Sequence, residues 1–280
     1  MRSFNSKVAA ITGAASGMGR QLAIQLAGQG CQLALSDVNA SGLAETQALA
    51  QQANRSIRIS VRKLDVADRA AVFPWGNATA HEHGKVNLIF NNAGVGLSST
   101  AEATTIEDFT WLMNINFWGI VHGTQAFLPH LKDAEDGHII NTSSLFGLLA
   151  TPGASAYHAA KFAVRGYTES LRQELDMMNC GVSATCVHPG GIKTEIVKNA
   201  RMDGSIATLG IDPRTSREKF SKKLVTSAEQ ASATILRAVQ RNERRVLVGR
   251  DAIVLDKVQR LLPAAYAAII GMILRRTYKP

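Results

Sequence analysis

The sequence predicts an α/β fold in which one doubly wound parallel sheet carries helices on both faces. Short apolar segments alternate with amphipathic segments along most of the 280 residues, and a glycine-rich turn follows the first apolar segment. Repeated strand–helix–strand order favours parallel strands buried beneath helices. No repeat or linker divides the chain. We therefore expect a single domain, with its main body in residues 1–250 and a helical C-terminal extension in residues 251–280.

Seven strands are predicted from short apolar runs that end in polar or glycine residues. They are Val8–Thr12, Gln32–Asp37, Ile57–Asp65, Val86–Gly94, Gly137–Ser144, Gly181–Gly190 and Arg245–Gly249. We expect a late helix to open at a capping box of Thr226 and Glu229 and to run to about Arg241. Pro74 falls inside the helix expected after Asp68, where it removes one helical hydrogen bond.

Composition indicates a globular protein, because 46% of the residues are hydrophobic and 19% are charged. The three cysteines have no metal-ligand spacing, and no His/Asp/Glu cluster predicts a metal site. No signal peptide is recognisable, so we expect a cytoplasmic protein. Residues from 193 onward hold 18 Lys/Arg and 8 Asp/Glu, a net +10. This basic third predicts solvated helix faces, with an anionic substrate or an anionic membrane surface as alternatives, and no nucleic-acid motif accompanies it.

The turn after the first strand reads TGAASGMGR and contains Gly13, Gly17 and Gly19. Glycines at such a turn let the backbone approach a pyrophosphate at the start of a helix. Asp37 ends the second strand, where a carboxylate can bind the ribose of a dinucleotide and repel a 2′-phosphate. No basic residue stands at Ser16 or beside Asp37, so the sequence favours NAD over NADP.

Tyr157 and Lys161 are four residues apart in the stretch SAYHAAKF and therefore share one helix face. An adjacent ammonium favours the phenolate, so we expect it to lower the pKa of Tyr157. A tyrosine tuned in this way can exchange a proton with an alcohol or a carbonyl. In isolation, however, a tyrosine–lysine pair of this spacing indicates a packing contact.

The set of motifs resembles the short-chain dehydrogenase/reductase family over roughly residues 5–250. The matching segments are TGAASGMG, LDV at 64–66, NNAG at 91–94, NINFWG at 114–119, INTSS at 140–144, YHAAK at 157–161 and HPGGIKT at 188–194. The resemblance implies a Rossmann-type fold and four catalytic residues. Tyr157 would exchange the proton, Ser144 would bind the reacting oxygen, Lys161 would reach the cofactor ribose, and Asn116 would anchor a proton-relay water.

The same resemblance implies the residues of a cofactor site. They are Gly13, Ser16, Gly17, Met18, Gly19, Asp37, Asp65, Val66, Asn92, Ala93, Gly94, Tyr157, Lys161, Pro189, Gly190, Ile192 and Thr194. A substrate pocket is expected from Ser144, Leu145, Phe146, Tyr157 and Gly191, and the irregular stretch 195–223 resembles the family's substrate lid. Because the pocket residues are mostly apolar, an apolar alcohol or ketone is expected as the substrate.

The sequence thus predicts an NAD-dependent oxidoreductase that interconverts an apolar secondary alcohol and its ketone. The alternative is a non-catalytic dinucleotide-binding sensor or scaffold on the same fold. The resemblance implies a homodimer or homotetramer. The tail segment Leu261–Leu274 has fourteen apolar or small residues, which is short for a spanning helix. We expect it to pack against the domain or a partner subunit. The alternative is a peripheral anchor whose Arg275, Arg276 and Lys279 contact anionic head groups.

Overall fold

A computed structural model describes residues 3–222 and 224–277 and contains one seven-stranded parallel sheet in the order β3-β2-β1-β4-β5-β6-β7. Its strands are β1 (Val8–Thr12), β2 (Gln32–Asp37), β3 (Ile59–Lys63), β4 (Leu88–Asn91), β5 (Gly137–Thr142), β6 (Val182–Pro189) and β7 (Arg245–Val248). The strand order reverses between β1 and β4, so a crevice opens at their carboxyl ends, where α/β proteins bind ligands. The predicted fold class is confirmed.

Helices cover both faces of the sheet. They are α1 (Gly17–Gly28), α2 (Ala40–Ala53), α3 (Arg69–His83), α4 (Ile106–Met113), α5 (Gly119–Asp133), α6 (Ser155–Met178), α7 (Pro213–Ser221), α8 (Ala228–Gln240), α9 (Arg250–Leu261) and α10 (Tyr266–Thr277). The core on one face includes side chains of α1, α2 and α8, and the core on the other face includes those of α3, α5 and α6. The chain is therefore doubly wound, as the sequence predicts.

Five strands end earlier than the apolar pattern predicts, and the residues after them leave the sheet. The predicted strand 86–94 is limited to Leu88–Asn91, and 57–65 is limited to Ile59–Lys63. β5, β6 and β7 likewise stop at Thr142, Pro189 and Val248. The segments released in this way, which include residues 92–94, 143–144 and 190–191, form loops at the carboxyl edge of the sheet.

The capping box that opens α8 lies one residue later than expected. Ser227 Oγ accepts a hydrogen bond from Gln230 N at 3.1 Å, and Gln230 Oε1 accepts one from Ser227 N at 3.3 Å. The prediction of Thr226 and Glu229 is therefore wrong by one position. Thr226 pairs instead with Ile192 in a short parallel ladder, which places Ser227 at the helix start.

Pro74 lies inside α3 without ending it. Asp68 caps the helix by accepting hydrogen bonds from the backbone N–H groups of Ala70 and Ala71. The next residue, Trp75, is 3% exposed, and its ring meets Phe127 edge-on with centroids 4.9 Å apart. Trp75 therefore packs α3 against α5 directly beside the proline.

The lid stretch and the tail both form ordered elements. In the lid, Arg201–Met202 pairs with Leu97–Ser98, and a 3₁₀ turn (Gly204–Leu209) precedes α7; Lys223 lies outside the described residues.

In the tail, Tyr266 and Ile270 of α10 pack on a cluster around Leu145, so the expected packing on the domain is present on this face. Elsewhere on α10, Ile269 and Met272 are exposed. Lys279 lies outside the described residues.

Within residues 3–222 and 224–277, no helix has the length and apolar character needed to cross a membrane.

Candidate active site

The glycine turn packs closely against the segment that follows β4. Gly13 has a φ of +67°, and a β-carbon there would lie 2.8 Å from the Ala93 Cα. Ser16 is exposed and precedes α1 without capping it through its side chain, so the first N–H groups of the helix have no side-chain acceptor among the residues that the structure describes. Such a helix start favours an anion. Gly19 is buried, and Met18 is half-buried against the core, with its carbonyl accepting a hydrogen bond from Ser232.

Asn92 and Ala93 are hydrogen-bonded to the end of β1. Asn92 Nδ2 donates to the carbonyls of Thr12 at 3.1 Å and Gly13 at 3.3 Å, while Thr12 Oγ1 accepts from the backbone N–H groups of Asn92 and Ala93. Asn92 Oδ1 is buried and has no hydrogen-bond partner among the described residues. The two sides of the crevice are thus fixed to each other, and one buried acceptor remains available beside the glycine turn.

Asp37 lies beside the same turn at the end of β2. Its Oδ2 accepts a 3.0 Å hydrogen bond from Ala15 N, and its Oδ1 accepts one of 2.9 Å from Asn39 N. The carboxylate therefore supports the glycine turn as well as offering acceptors to a ligand. Asp65 is exposed after β3, and Val66 is buried against Gly119 at the start of α5.

Tyr157 and Lys161 occupy successive turns of α6 and lie close together, as the spacing predicts. Lys161 is 3% exposed, and its Nζ lies 5.7 Å from the centroid of the Tyr157 ring. Nζ donates a 3.0 Å hydrogen bond to the Thr142 carbonyl at the end of β5. Ser144 follows two residues later, is 7% exposed, and accepts a 3.1 Å hydrogen bond from Phe146 N.

Asn116 reaches the same region from a π-helical segment, Asn114–Trp118, that joins α4 to α5. Its Oδ1 accepts from Val95 N at 2.8 Å, and its Nδ2 donates to Val95 O at 2.9 Å. A β-carbon at Gly94 would lie 3.2 Å from Asn116 Oδ1 and 3.6 Å from Lys161 Nζ. Gly94 therefore lies beside both the Asn116 amide and the Lys161 ammonium. The sequence did not predict the π-helical turn, which rotates Asn116 into the interior.

Burial dominates the protonation of the two groups on α6. It raises the pKa of Tyr157, and hydrogen bonding with the Ser144 hydroxyl opposes that rise. Burial also lowers the pKa of Lys161 from 10.5 to about 8. The expected lowering of the Tyr157 pKa is therefore wrong as a net direction, because burial penalises the phenolate and raises this pKa.

The segment after β6 connects the glycine turn with the C-terminal extension. Gly190 N donates to Val248 O at 2.9 Å, Ile192 is buried, and the Thr194 methyl group lies 3.1 Å from the position of a β-carbon on Gly17. Gly191, which the sequence assigns to the substrate pocket, donates its N–H to Asp251 Oδ2 at 2.6 Å. Sequence reasoning missed Asp251, because a contact across sixty residues leaves no local pattern.

The remaining predicted pocket residues form an apolar wall beside Tyr157. Leu145 is 5% exposed, and Phe146 is half-buried with its ring centroid 6.3 Å from that of Tyr157. Leu145 and Phe146 pack with Tyr266 of α10. The hydroxyl of Tyr266 accepts a 3.3 Å hydrogen bond from Ala150 N. The tail thus packs against the apolar residues beside Tyr157, a contact that the sequence did not predict.

Arg201 of the lid packs against α4. Arg201 forms a 2.6 Å ion pair with Asp108, and its guanidinium carbon lies 3.6 Å from the centroid of the Trp111 ring. Thr100 N donates a 3.1 Å hydrogen bond to Ser205 Oγ nearby. We call Arg201, Asp108 and Trp111 the lid clasp.

Comparisons with known proteins agree with this architecture. A family model described as short chain dehydrogenase matches residues 7–204. SadH of Mycobacterium tuberculosis, named an oxidoreductase, is 44% identical over 272 residues, covering 97% of this chain and 96% of SadH. Levodione reductase of Leifsonia aquatica is 31% identical over 220 residues, covering 78% and 79% of the two chains. The crystal structure of a short-chain dehydrogenase/reductase from Burkholderia phymatum in complex with NAD is similar, with a TM-score of 0.86, 27% identity, and coverage of 95% and 97%.

The parallel sheet, the glycine turn and these relatives define an oxidoreductase with a Rossmann-type nucleotide-binding fold. The chain belongs to the short-chain dehydrogenase/reductase family.

Proposed function

We propose that the protein is an NAD-dependent oxidoreductase that interconverts an apolar secondary alcohol and its ketone. The observation that carries the proposal is the buried Lys161 ammonium beside Tyr157, with Ser144 following β5 at the same carboxyl edge of the sheet. Burying a lysine ammonium away from water costs folding free energy. Perturbed titratable groups in a cleft mark functional sites.

The residues present fit a nicotinamide dinucleotide. The uncapped start of α1 suits a pyrophosphate, and the unused acceptor of Asn92 suits a hydrogen-bond donor. Asp37 would bind the adenosine ribose and repel a 2′-phosphate, which favours NAD. Asp65 and Val66 would contact the adenine, and residues 189–194 would hold the nicotinamide. The NAD in the Burkholderia phymatum structure supports this choice.

When bound, the cofactor supplies the hydride chemistry, and this chain's residues handle the proton. In alcohol oxidation Tyr157 would first lose its own proton toward Lys161 and the relay water, and the phenolate Oη would then take the hydroxyl proton. In ketone reduction the neutral phenol would give its proton to the carbonyl oxygen. Ser144 Oγ donates a hydrogen bond to the same substrate oxygen and holds it near Tyr157. Lys161 stabilises the phenolate and binds the ribose hydroxyls. Asn116 fixes the loop at Val95 and anchors the relay water.

The apolar wall supports the substrate class. Leu145 and Phe146 offer hydrocarbon and aromatic surface beside Tyr157, with few polar partners for a sugar-like substrate. The relative named levodione reductase supports a carbonyl substrate. The lid at residues 195–222, held down by the lid clasp, would cover this wall.

A panel of secondary alcohols and ketones graded by size and polarity tests the proposal. Full-length protein is assayed with NAD+, NADP+, NADH and NADPH by absorbance of the reduced nicotinamide. We expect turnover of the larger apolar compounds with NAD(H). Tight NADH binding without turnover of any compound would favour the non-catalytic sensor or scaffold, and failure to bind either cofactor would overturn both readings.

Two partner proposals accompany this function. The family resemblance supports a homodimer or homotetramer, which light scattering tests directly. The outer face of α10 supports peripheral contact with an anionic lipid surface, because Ile269 and Met272 are exposed and Arg275 and Arg276 end the helix. From residue 257 onward the sequence contains five Lys/Arg and no Asp/Glu, so this end of the chain complements a negative surface.

A further inference from the structure

A carboxylate of the C-terminal extension holds the segment that follows β6. Asp251 is the second residue of α9, and its Oδ2 accepts a 2.6 Å hydrogen bond from Gly191 N. A hydrogen bond to a carboxylate is roughly twice as strong as one between neutral groups. An acidic residue in the first turn of a helix is also favoured by the helix dipole. The start of α9 therefore provides a stable side-chain acceptor for this loop.

Two glycines make room for the carboxylate. A β-carbon at Gly190 would overlap the Asp251 carboxylate, and one at Gly249 would lie 2.5 Å from Asp251 Oδ1. Gly249 also has a φ of +102°, which side-chain-bearing residues rarely adopt. The backbone on both sides of Asp251 is thus shaped around its side chain.

The Asp251 contact completes a set of restraints on the two-glycine segment. Gly190 N is bound to the β7 carbonyl of Val248, and the Gly191 carbonyl accepts from Val225 N at 3.1 Å. Asp251 supplies the side-chain restraint, and Oδ1 is buried without a hydrogen-bond partner among the described residues. At its far end the segment reaches Thr194, whose methyl group lies 3.1 Å from the position of a β-carbon on Gly17 in the glycine turn. A shift of Gly191 would therefore reach the cofactor side of the crevice.

We propose that Asp251 is a positioning residue for hydride transfer: it fixes Gly191 and so sets how residues 189–194 orient the nicotinamide. This inference rests on the proposed function. Reactions that depend on near-attack geometry lose about 100-fold in rate for a displacement of about 1 Å. The C-terminal extension would then contribute to the chemistry through one hydrogen bond to the backbone.

Asp251→Ala and Asp251→Asn separate the acceptor from the charge. Asp251→Ala removes the acceptor, so we expect kcat to fall about 10- to 100-fold, with a weaker loss of NADH affinity measured by fluorescence titration. Asp251→Asn keeps a side-chain oxygen for Gly191 N, so it should retain most of the activity. Glu229→Ala removes an exposed first-turn carboxylate from α8 and serves as the matched control.

Hydrogen exchange gives a readout that does not depend on turnover. In Asp251→Ala without added cofactor, the Gly191 amide should exchange at least about tenfold faster, since a backbone N–H loses its charged acceptor. The Gly190 amide, bound to Val248 O, should remain protected. A role limited to helix stability would instead speed exchange along the first turn of α9.

A double-mutant cycle tests the coupling directly. Gly190→Ala introduces a β-carbon against the carboxylate, so alone it should impair kcat about as much as Asp251→Ala. In the Asp251→Ala background the same change should have little further effect. Additive losses, or Asp251→Asn as impaired as Asp251→Ala, would overturn the inference. Failure of the wild type to bind NADH would instead overturn the proposed function.

Discussion

The Lys161 Nζ atom lies 5.7 Å from the Tyr157 ring centroid while it donates a hydrogen bond to the Thr142 carbonyl. Lys161 is thus attached to the end of β5 and directed toward the tyrosine one helical turn earlier. Burial lowers the pKa of this lysine to about 8 and raises that of Tyr157. At pH 7 a predominantly charged lysine therefore lies beside a neutral phenol.

Tyr157→Phe should abolish most turnover while leaving NADH binding within a few-fold of wild type. The change removes only the phenolic O–H that exchanges the proton, a step that typically contributes about 10²- to 10⁴-fold in rate. Steady-state kinetics and NADH fluorescence titration give the two readouts. Tyr167→Phe, a half-buried tyrosine on the same helix, is the matched control. Near-normal turnover in Tyr157→Phe would remove the proposed mechanism.

Asp37→Asn should shift cofactor preference toward NADPH. The asparagine oxygen can still accept the hydrogen bond from Ala15 N, so the glycine turn is kept while the charge that repels a 2′-phosphate is lost. The measurement is kcat/KM for NADPH relative to NADH. We expect this ratio to rise about tenfold or more, because roughly one unfavourable charge contact is lost. A wild-type preference for NADPH would contradict the role given to Asp37.

Arg201→Ala should loosen the lid and raise the KM for an apolar substrate several-fold, with little change in NADH affinity. The Arg201–Asp108 ion pair is half-exposed, so its loss should change the free energy of unfolding by less than about 1 kcal/mol. Lys198→Ala, which removes an exposed ion pair with Glu195 in the same lid, is the control. Equal effects of both substitutions on KM would argue against the lid clasp.

The sequence predicted the elements whose signals are local. Glycine spacing marked the turn at Gly13, and the i, i+4 spacing placed Tyr157 near Lys161. The apolar runs identified all seven strands, and the errors in their ends occurred where residues such as Asn92 leave the sheet to form the crevice. Such residues directly follow an apolar run in the sequence, but in the structure they belong to loops.

The contacts that the sequence did not reveal join distant segments or depend on desolvation. The hydrogen bond from Gly191 to Asp251 and the packing of Tyr266 behind Leu145 each require the C-terminal extension to fold back on the sheet. The raised pKa of Tyr157 also escaped prediction, because residue spacing shows a neighbouring charge but does not show how deeply both groups are buried.

His188 should make the protein less stable as the pH falls below about 6.5. Burial lowers the pKa of His188 from 6.5 to about 4, and its Nδ1–H donates to the Ser144 carbonyl at 2.8 Å. Between these values the unfolded chain takes up a proton that the folded protein does not, so stability is lost as the pH decreases. His188→Asn keeps a donor for Ser144 and does not titrate. Urea unfolding gives the free energy of unfolding at pH 7 and at pH 5. Its decrease between the two should be smaller in this variant than in the wild type by on the order of 1–2 kcal/mol. An identical loss in both proteins would exclude His188 as the source.

Peripheral membrane contact through α10 should require both its exposed apolar face and its terminal arginines. We expect full-length protein to co-sediment with phosphatidylcholine vesicles that contain phosphatidylglycerol, and to bind vesicles of phosphatidylcholine alone less. Met272→Asp removes apolar contact, and replacing Arg275 and Arg276 with Gln removes the charge attraction, worth about 1 kcal/mol per residue near an anionic surface. Met177→Asp, at a methionine 88% exposed on α6, controls for a new surface charge. If the tail variants alter the oligomeric mass in light scattering and leave vesicle binding unchanged, the outer face of α10 contacts another subunit and the membrane proposal is wrong.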